Sequence, residues 1–586
     1  MSYVAGPLAA LVLIPGLALT AFGLGSGRGW GVPSMVPGAV AFYLVLALWG
    51  ALFGAAFGLI GGLGRRARPG TTAAAWWATA NRPIRLPGRR TGPAALDEIP
   101  TPPSRRLWPW LVGVPGLIAL VVLAAAFAAG VSLGRAVDHR LAAAVAAADR
   151  DDPAWRLDDL MARRDPVPDG ENSALVVVEA LARLPADWPT GPPPPPGMSR
   201  PPNEVMDALD ALGKTPDNVQ LDDATAAMLR GELESHPDAV ALARTVADYR
   251  RGRHEIALGP ALIDTPLGET QAARNAARLL TADAAIRARD VDPDGALESC
   301  RAILGVSRSI GDEPFLISML VRIAIGRVAM NSARRALGQC EPSDEALARL
   351  QALLLDEMHQ PLLLQGVKGE RTSMFEMIRR VGSGEVPIDA LSGGWQPDGT
   401  RHAIAPWGKL MFDNQRAVAL EWMNAAVAAA RRVVAEQPAL WRAWEDEVER
   451  VKHLWRAKYS ATLPVLLTPS MDLAWKAHAE YQAQLGATAV LLAAERHRRK
   501  IGDWPVSVAA IDRAILPDPP TDPYTGQPYH VGRREGKVCI YSIGLNRRDD
   551  RGVFDRKRWA KGGPDDMGAT GWDVRLRRQP PAAEGE

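Results

Sequence analysis

Hydrophobic positions along the chain fall into three regimes. The first is continuous. Tyr3 to Gly25 carries no ionisable side chain apart from the Tyr3 phenol, and Val36 to Gly64 and Trp108 to Gly134 carry no acidic or basic residue. Each run is long enough for a helix that crosses about 30 Å of hydrocarbon. Pro7, Pro15, Pro37, Pro109 and Pro115 lie in or beside these runs, and membrane helices tolerate proline better than soluble ones do. Three transmembrane helices are therefore expected, at about 3–25, 36–64 and 108–134, making residues 1–134 a membrane domain.

The second regime, residues 135–468, repeats its apolar positions at helical spacing. Asp138–Arg150 is alanine-rich and continues the third span outward as a stalk. Further helices are predicted at Asn172–Leu184, Asp222–Leu233, Pro237–Tyr249, Glu269–Arg289, Pro293–Ile310, Glu313–Leu337, Ser343–Met358, Phe375–Val381 and Asn414–Ala435. Asn172 and Ser343 stand where N-caps belong. Pro192 to Pro196 are consecutive and form a stiff surface loop, because proline cannot continue a helix. Antiparallel helical hairpins follow from the short connections. No position-specific repeat runs through the region, so a solenoid is not inferred.

The third regime, residues 469–586, is mixed. A helix is predicted from Ser470 to about Lys500 and a short one from Ser507 to Ala514. Strands are predicted at Tyr529–Arg533 and Lys537–Ile543, joined by a hairpin turn at Glu535-Gly536. The end of the chain reads as a disordered tail. The expected fold class is mainly α: three N-terminal transmembrane helices, an extracytoplasmic domain of antiparallel helices, and a small α+β module with a short antiparallel sheet.

Charge orients this arrangement. The connection 65–107 holds Arg65, Arg66, Arg68, Arg82, Arg85, Arg89, Arg90, Arg105 and Arg106 against Asp97 and Glu98. The positive-inside rule puts it in the cytoplasm, with the N-terminus inside and everything after Gly134 outside a cytoplasmic membrane. Trp30, Trp49, Trp108 and Trp110 suit interface anchors. On the second span Gly50, Gly54, Gly58 and Gly62 share one helix face, a stripe for close packing against span one or three, or against a second copy.

Composition narrows the chemistry. The 586 residues carry 68 Lys+Arg and 66 Asp+Glu, a net charge of +2, which excludes a basic nucleic-acid coat protein and leaves no nucleic-acid partner expected. Three cysteines exclude a disulfide framework, leaving at most a Cys300–Cys340 bridge in an oxidising compartment. The nine histidines include no pair at the i, i+4 spacing of a helical zinc site. Gly130-Val131-Ser132-Leu133-Gly134 matches a nucleophile elbow but ends a membrane span instead of joining strand to helix. Gly213-Lys214-Thr215 lacks the first glycine of a phosphate loop, Ala208 standing in its place. Glu445, Asp446, Glu447 and Glu449 lie beside Arg442, Arg450 and Lys452, a pattern expected of a solvated, ion-paired helix face and not of a catalytic carboxylate pair.

The order of features near the C-terminus supports a resemblance. Gly502, Trp504 and Pro505 form a Gly-x-Trp-Pro step after the long helix. Asp522, Pro523, Gly526, Pro528 and Tyr529 form a turn, and Tyr541, Ser542 and Gly544 end a strand as Tyr-Ser-x-Gly. This region, about Ser470 to Asp573, resembles the globular part of the major pseudopilins of type II secretion. The turn departs by the two residues Tyr524 and Thr525, and Leu545-Asn546-Arg547-Arg548 stands where that family is acidic. The overall layout resembles uncharacterised bacterial membrane-anchored proteins. The resemblance implies a calcium-binding loop, for which Asp549, Asp550, Asp565 and Asp566 are the candidates; no other cofactor is expected.

The expectation is a non-catalytic, membrane-anchored bacterial envelope protein whose helical domain presents a surface to a protein partner, with the lipid bilayer its other partner. The alternatives are an extracytoplasmic hydrolase with a site assembled from distant helices, and a component of a secretion or pilus-like apparatus.

Overall fold

The computed structural model describes residues 108–190, 203–387, 406–453, 461–468, 470–554 and 565–581. The first two expected spans, the arginine-rich connection, the Gly50–Gly62 stripe and the run of prolines lie outside them. Contacts divide the chain into two compact units, Met1–Leu133 and Gly134–Glu586.

The third expected span falls in α1, Trp108–Asp151, an unbroken helix of 44 residues and so about 66 Å long. Its apolar side chains, among them Leu117, Ile118, Leu120 and Phe127, are exposed, and Phe127 keeps 74% of its surface. The stretch Gly116–Asp151 contains an apolar window of mean hydropathy 2.5 with nothing buried. By length and composition this helix is able to cross a membrane. Further along, Val137, Ala144 and Ala148 are buried. Asp152 ends the helix and receives Arg371 Nη2 at 2.7 Å, as Asp-Pro makes a stop.

Helices α2 (Leu157–Ala162), α3 (Ser173–Leu181), α4 (Glu204–Lys214), α5 (Asp223–Ser235) and α6 (Pro237–Thr245) follow. Asn172 caps α3 by accepting from Ala174 N, as its sequence position predicts. The centre is built from α7 (Gly268–Arg289), α8 (Pro293–Ser309), α9 (Leu316–Gln339), α10 (Asp344–Met358) and α11 (Leu362–Gly382), with Ser343 capping α10 on Ala346 N. Helix α9 is also apolar enough to pass for a span, but two-thirds of its window (67%) is buried, which makes it a core helix. Among the described residues these two helices, and no third, meet that test.

Helix α11 begins 13 residues before the expected Phe375. Gly366 and Gly369 look like breakers in the sequence. In the fold they let the start of α9 lie against α11: a Cβ on Gly369 would stand 1.8 Å from the carbonyl oxygen of Pro314. Helices α12 (Pro406–Ala430), α13 (Gln437–His453) and α14 (Thr462–Leu467) precede α15 (Ser470–Ile501).

Helix α15 is buried on all sides through its middle: Tyr481, Leu485, Val490, Leu491 and Leu492 have no exposed surface. It packs on α9 and α10 and carries a sheet of three antiparallel strands, β1 (His530–Arg534), β2 (Lys537–Ser542) and β3 (Met567–Trp572), in the order β1-β2-β3. Residues 470–581 thus belong to the same compact unit as the preceding helices, and one continuous core runs through both. Glu535 and Gly536 make the β1–β2 turn with φ of 53° and 72°, the doubly left-handed geometry that suits a two-residue hairpin. The expected helix Ser507–Ala514 is only a 3₁₀ turn, Val508–Ala510. Ile511 is extended there, because Val508, Ile511, Ile515 and Leu516 must all reach the core.

The chain end straps this unit together. Arg577 Nη2 meets Glu495 Oε2 at 2.9 Å with both side chains buried. Arg578 N donates to the Gly338 carbonyl, and residues 218–220 exchange backbone hydrogen bonds with Gln579. Burial raises the Glu495 carboxyl, but hydrogen bonds from Arg498 and Arg577 outweigh it and hold the pKa at about 2 instead of 4.5. A depressed folded pKa means stability that is complete above pH 4.5 and lost as pH falls toward 2. Arg577→Ala should lower stability by about 2–3 kcal/mol, less than the ~3–5 of a fully orphaned buried charge because Arg498 and Arg499 remain. Glu495→Gln should flatten the stability profile between pH 4.5 and 2, read from denaturant melts.

Candidate functional site

Three places gather polar or apolar groups in a way that bears on function. The first is the loop that the pseudopilin resemblance singles out. Asp522, nearly fully buried, accepts from Tyr524 N at 2.9 Å and from Ser542 Oγ at 2.7 Å, and that hydroxyl accepts from Gly544 N at 3.1 Å. The two quoted motifs, 20 residues apart, are thus one hydrogen-bonded structure.

The four candidate aspartates do come together after β2, and each spends oxygen on the backbone. Asp549 accepts from Arg551 N at 2.7 Å and from the Tyr541 hydroxyl at 3.1 Å. Asp550 accepts from Asp565 N at 3.0 Å and pairs with Arg548 at 3.7 Å. Asp565 accepts from Asn546 N at 3.0 Å, and Asp566 from Gly552 N at 2.8 Å. Asp566 Oδ1 is buried without a hydrogen-bond partner. Burial, with Asp550 and Asp549 close by, pushes the Asp566 carboxyl up to about 6.

Calcium asks for six to eight converging oxygens. Among the described residues no three His, Cys, Asp or Glu side chains assemble as a metal site. As placed, these carboxylates close a loop on its own amides. The acidic pairs found in the sequence are explained by backbone donors that the sequence does not display.

The second place is a polar seam inside the helical core. Glu357 on α10 is completely buried and takes Arg308 of α8 at 2.7 Å and Arg322 of α9 at 3.2 Å. Arg322 also donates to the Gly311 carbonyl, and its own carbonyl accepts from Ser307 Oγ. Nearby, Ser318 Oγ donates to Glu313 Oε2 at 2.5 Å, and burial raises the Glu313 carboxyl. A cavity of about 10 Å³ lies among Glu313, Ser318 and Arg322, space for one water at most. The seam ties α8, α9 and α10 to each other. Sequence reading missed it because its members are 14 to 49 positions apart in the chain, each alone on its own helix.

The third place is a cleft of about 980 Å³ between α12 and α13, which run antiparallel through the connection 431–436. Its floor is small and apolar: Ala425, Ala428 and Ala429 face Ala439, Leu440 and Ala443. Trp444 donates to the Trp422 carbonyl at 2.9 Å and fixes the two helices together, while Trp441 stacks on Trp475 of α15 at 6.2 Å. Charges ring the cleft: Arg140 with Glu421 at 2.6 Å, Arg432 with Glu436 at 2.7 Å, and Arg450 with Glu447 at 2.6 Å. The acidic run on α13 behaves as a solvated face. Hydrogen bonds from Arg450 and Lys452 hold the Glu447 and Glu449 carboxyls below their ordinary range, the opposite of what a general acid needs.

The remaining sequence candidates resolve simply. Cys300 and Cys340 are free buried thiols, and burial pushes Cys340 up to about 12 and Cys300 up as well, which makes them inert. Burial lowers His478 to about 4, so it is neutral. Gly130 to Gly134 lie inside α1 and Gly213-Lys214 at the end of α4, in helices where neither a nucleophile elbow nor a phosphate cradle can form.

No family model, curated protein or solved structure matches the chain.

Glu357→Ala strips two buried guanidinium groups of their shared carboxylate and should cost about 3–5 kcal/mol. Glu447→Ala at the exposed rim should cost at most about 0.5 kcal/mol. Urea melts of the two variants compare them directly. Asp566→Asn should leave the melting temperature unchanged or higher at pH 7.5, because the folded carboxyl is raised from about 3.8 to about 6 and its charge opposes folding above that range.

Proposed function

We propose that this chain is a membrane-anchored, non-catalytic protein whose folded body presents the α12–α13 cleft as an interaction surface. One observation carries the reading: α1 is a single helix that exposes an apolar stretch fit for lipid and then buries Val137, Ala144 and Ala148 in a folded body. A helix that changes solvent along its length holds that body at a bilayer. The arginine-rich connection 65–107 and the charge-free runs before it support three spans, the N-terminus in the cytoplasm and residues beyond 134 outside it. A bacterial cytoplasmic membrane is the setting that the pseudopilin resemblance favours.

The cleft supports an interaction role because it is open, apolar at its floor and charged at its rim, the layout of a protein-binding patch. The linkage of the Asp522 turn to the Ser542 strand end favours, as a second reading, membership of a secretion or pilus-like apparatus. The hydrolase alternative gains no support from the polar seam, whose cavity admits no substrate.

Full-length protein should stay in the membrane pellet through alkaline carbonate washing and leave it only with detergent. An alkaline phosphatase fusion after Gly134 should be active and a fusion within residues 65–107 inactive. Recovery of the untreated chain in the soluble fraction, or the reverse pattern of fusions, would overturn the reading.

A further inference from the structure

After β3 the residues Val574 to Gln579 lie across a groove walled by the connection 216–221 and by the C-terminal ends of α7 and α9. Their side chains take no part in the apolar core: Val574 and Leu576 are exposed, and of the six only Arg577 is buried. What holds the segment is polar. Arg578 N donates to the Gly338 carbonyl at 3.0 Å and Gln579 N to the Asn218 carbonyl at 2.7 Å, while Gln220 N donates to the Gln579 carbonyl at 2.8 Å. Asn218 Nδ2 donates to the Leu576 carbonyl at 2.8 Å. Val219 and Gln579 form a parallel bridge. Main-chain pairing of this kind is how a protein edge takes up a peptide whose side chains then confer selectivity.

Two arginines supply that selectivity. Arg577 presents Nη1 and Nη2 to the two oxygens of Glu495 at 3.2 and 2.9 Å, and its Nε donates to the Trp572 carbonyl. Arg578 Nη1 and Nη2 reach the carbonyls of Ala288 and Arg289 at 3.5 and 2.9 Å. Those carbonyls, like that of Gly338, belong to the last turn of a helix, where they lack an intrahelical partner and the helix dipole is negative. Both guanidinium groups use a forked geometry that an ammonium does not reproduce. Arg578 also stands at φ 58°, a left-handed conformation that arginine keeps only where its surroundings hold it there.

The groove is built without the segment it holds. Arg335 on α9 donates to the carbonyls of Leu212 and Val219, and Gln339 to those of Asp217 and Val219. Gly338 lets that connection come close, since a Cβ there would stand 2.6 Å from the Asp217 carbonyl oxygen. Glu495 is held on α15 by Arg498 and Arg499. These acceptors keep their places when the chain end leaves. A segment with no share in the core and a ready-made seat opens before the rest of the fold does.

We infer that this groove is a peptide-recognition site for two adjacent arginines followed by glutamine, and that Arg577-Arg578-Gln579 is its resident ligand in cis. The chain end is a latch separable from the body, and a peptide of the same chemistry supplied in trans takes its place. The tether gives the resident segment a high effective concentration. The site is therefore filled in the intact chain and admits a second ligand when the latch is weakened or cut. The inference goes beyond the anchoring reading and does not depend on it, nor on what covers the α12–α13 cleft.

The test keeps the whole chain. A recognition sequence for a site-specific protease is inserted between the exposed Val574 and Arg575 of the full-length protein in mild detergent, and cut. The nicked protein should exchange its tail for a labelled peptide of residues 575–581, followed by fluorescence anisotropy. Washed free of the tail, it should stay folded by circular dichroism, with a lowered melting temperature that the peptide raises again. A peptide carrying Arg577→Lys and Arg578→Lys should compete at least tenfold less well. Should the insertion prevent folding, full-length Arg578→Ala decides, because it weakens the latch and leaves the groove intact. That variant should bind the labelled peptide at least tenfold more tightly than intact wild type does. Loss of the fold on washing overturns the inference, as does a tail that never exchanges, or equal competition by the arginine and lysine peptides. Equal binding of the peptide to wild type and to Arg578→Ala overturns it as well.

Discussion

Everything after residue 134 depends on one helix being buried along its whole girth. Helix α15 touches α9 and α10 on one side and carries the sheet on the other. Its middle residues, from Ala483 to Ala494, are dominated by Ala, Leu and Val with almost no exposed surface. A helix in that position cannot be amphipathic, since it has no wet face. Its buried acid is answered directly. Glu495, at the point where α15 leaves the core, draws Arg498 and Arg499 from its own helix and Arg577 from the chain end. The C-terminal strap brings this buried carboxylate a third guanidinium. The strand β2, buried at five of its six positions, then completes the other wall.

That shared core explains which elements were legible. Helices with caps and a dry face, such as α3 behind Asn172 and α10 behind Ser343, declare themselves in sequence because local chemistry decides their ends. Helix α11 did not, since Gly366 and Gly369 act through a neighbour 50 residues away and carry a local signal of the wrong sign. Strand β3 was missed for a related reason. Met-Gly-Ala-Thr-Gly-Trp has weak strand propensity, and its conformation is set by pairing from Lys537↔Trp572 to Ser542↔Met567. Tertiary contacts overrule propensity in both cases, and no window of sequence contains them.

The sites divide along the same line. The acidic pairs at Asp549–Asp550 and Asp565–Asp566 were visible as residues, but their use was not. Backbone amides of Asn546, Arg551, Gly552 and Asp565 each engage one oxygen of these carboxylates. Sequence displays carboxylates and hides the amides that engage them. The buried Glu357 seam was hidden for the opposite reason: one acid and two arginines on three helices look like surface charge until the helices pack. The cleft stripes were hidden by composition, because alanine at helical spacing in an alanine-rich chain does not stand out from its background.

The cleft and α1 pose one physical question, which is why a folded body leaves apolar surface unpaired. On α1 the exposed residues are large: Leu117, Leu120, Phe127. In water each would forfeit about 1.5–3 kcal/mol of transfer energy, and a stretch of them is tolerable only in an apolar solvent. On α12 and α13 the exposed floor is mostly alanine, with a ring of ion pairs around it. Alanine costs little when wet, so this surface persists in water and still packs closely against another helix when one arrives. The two surfaces are thus tuned to different coverings. In the proposed reading, lipid receives the large side chains that could not remain exposed in water, and a protein partner receives the small ones that can wait for it.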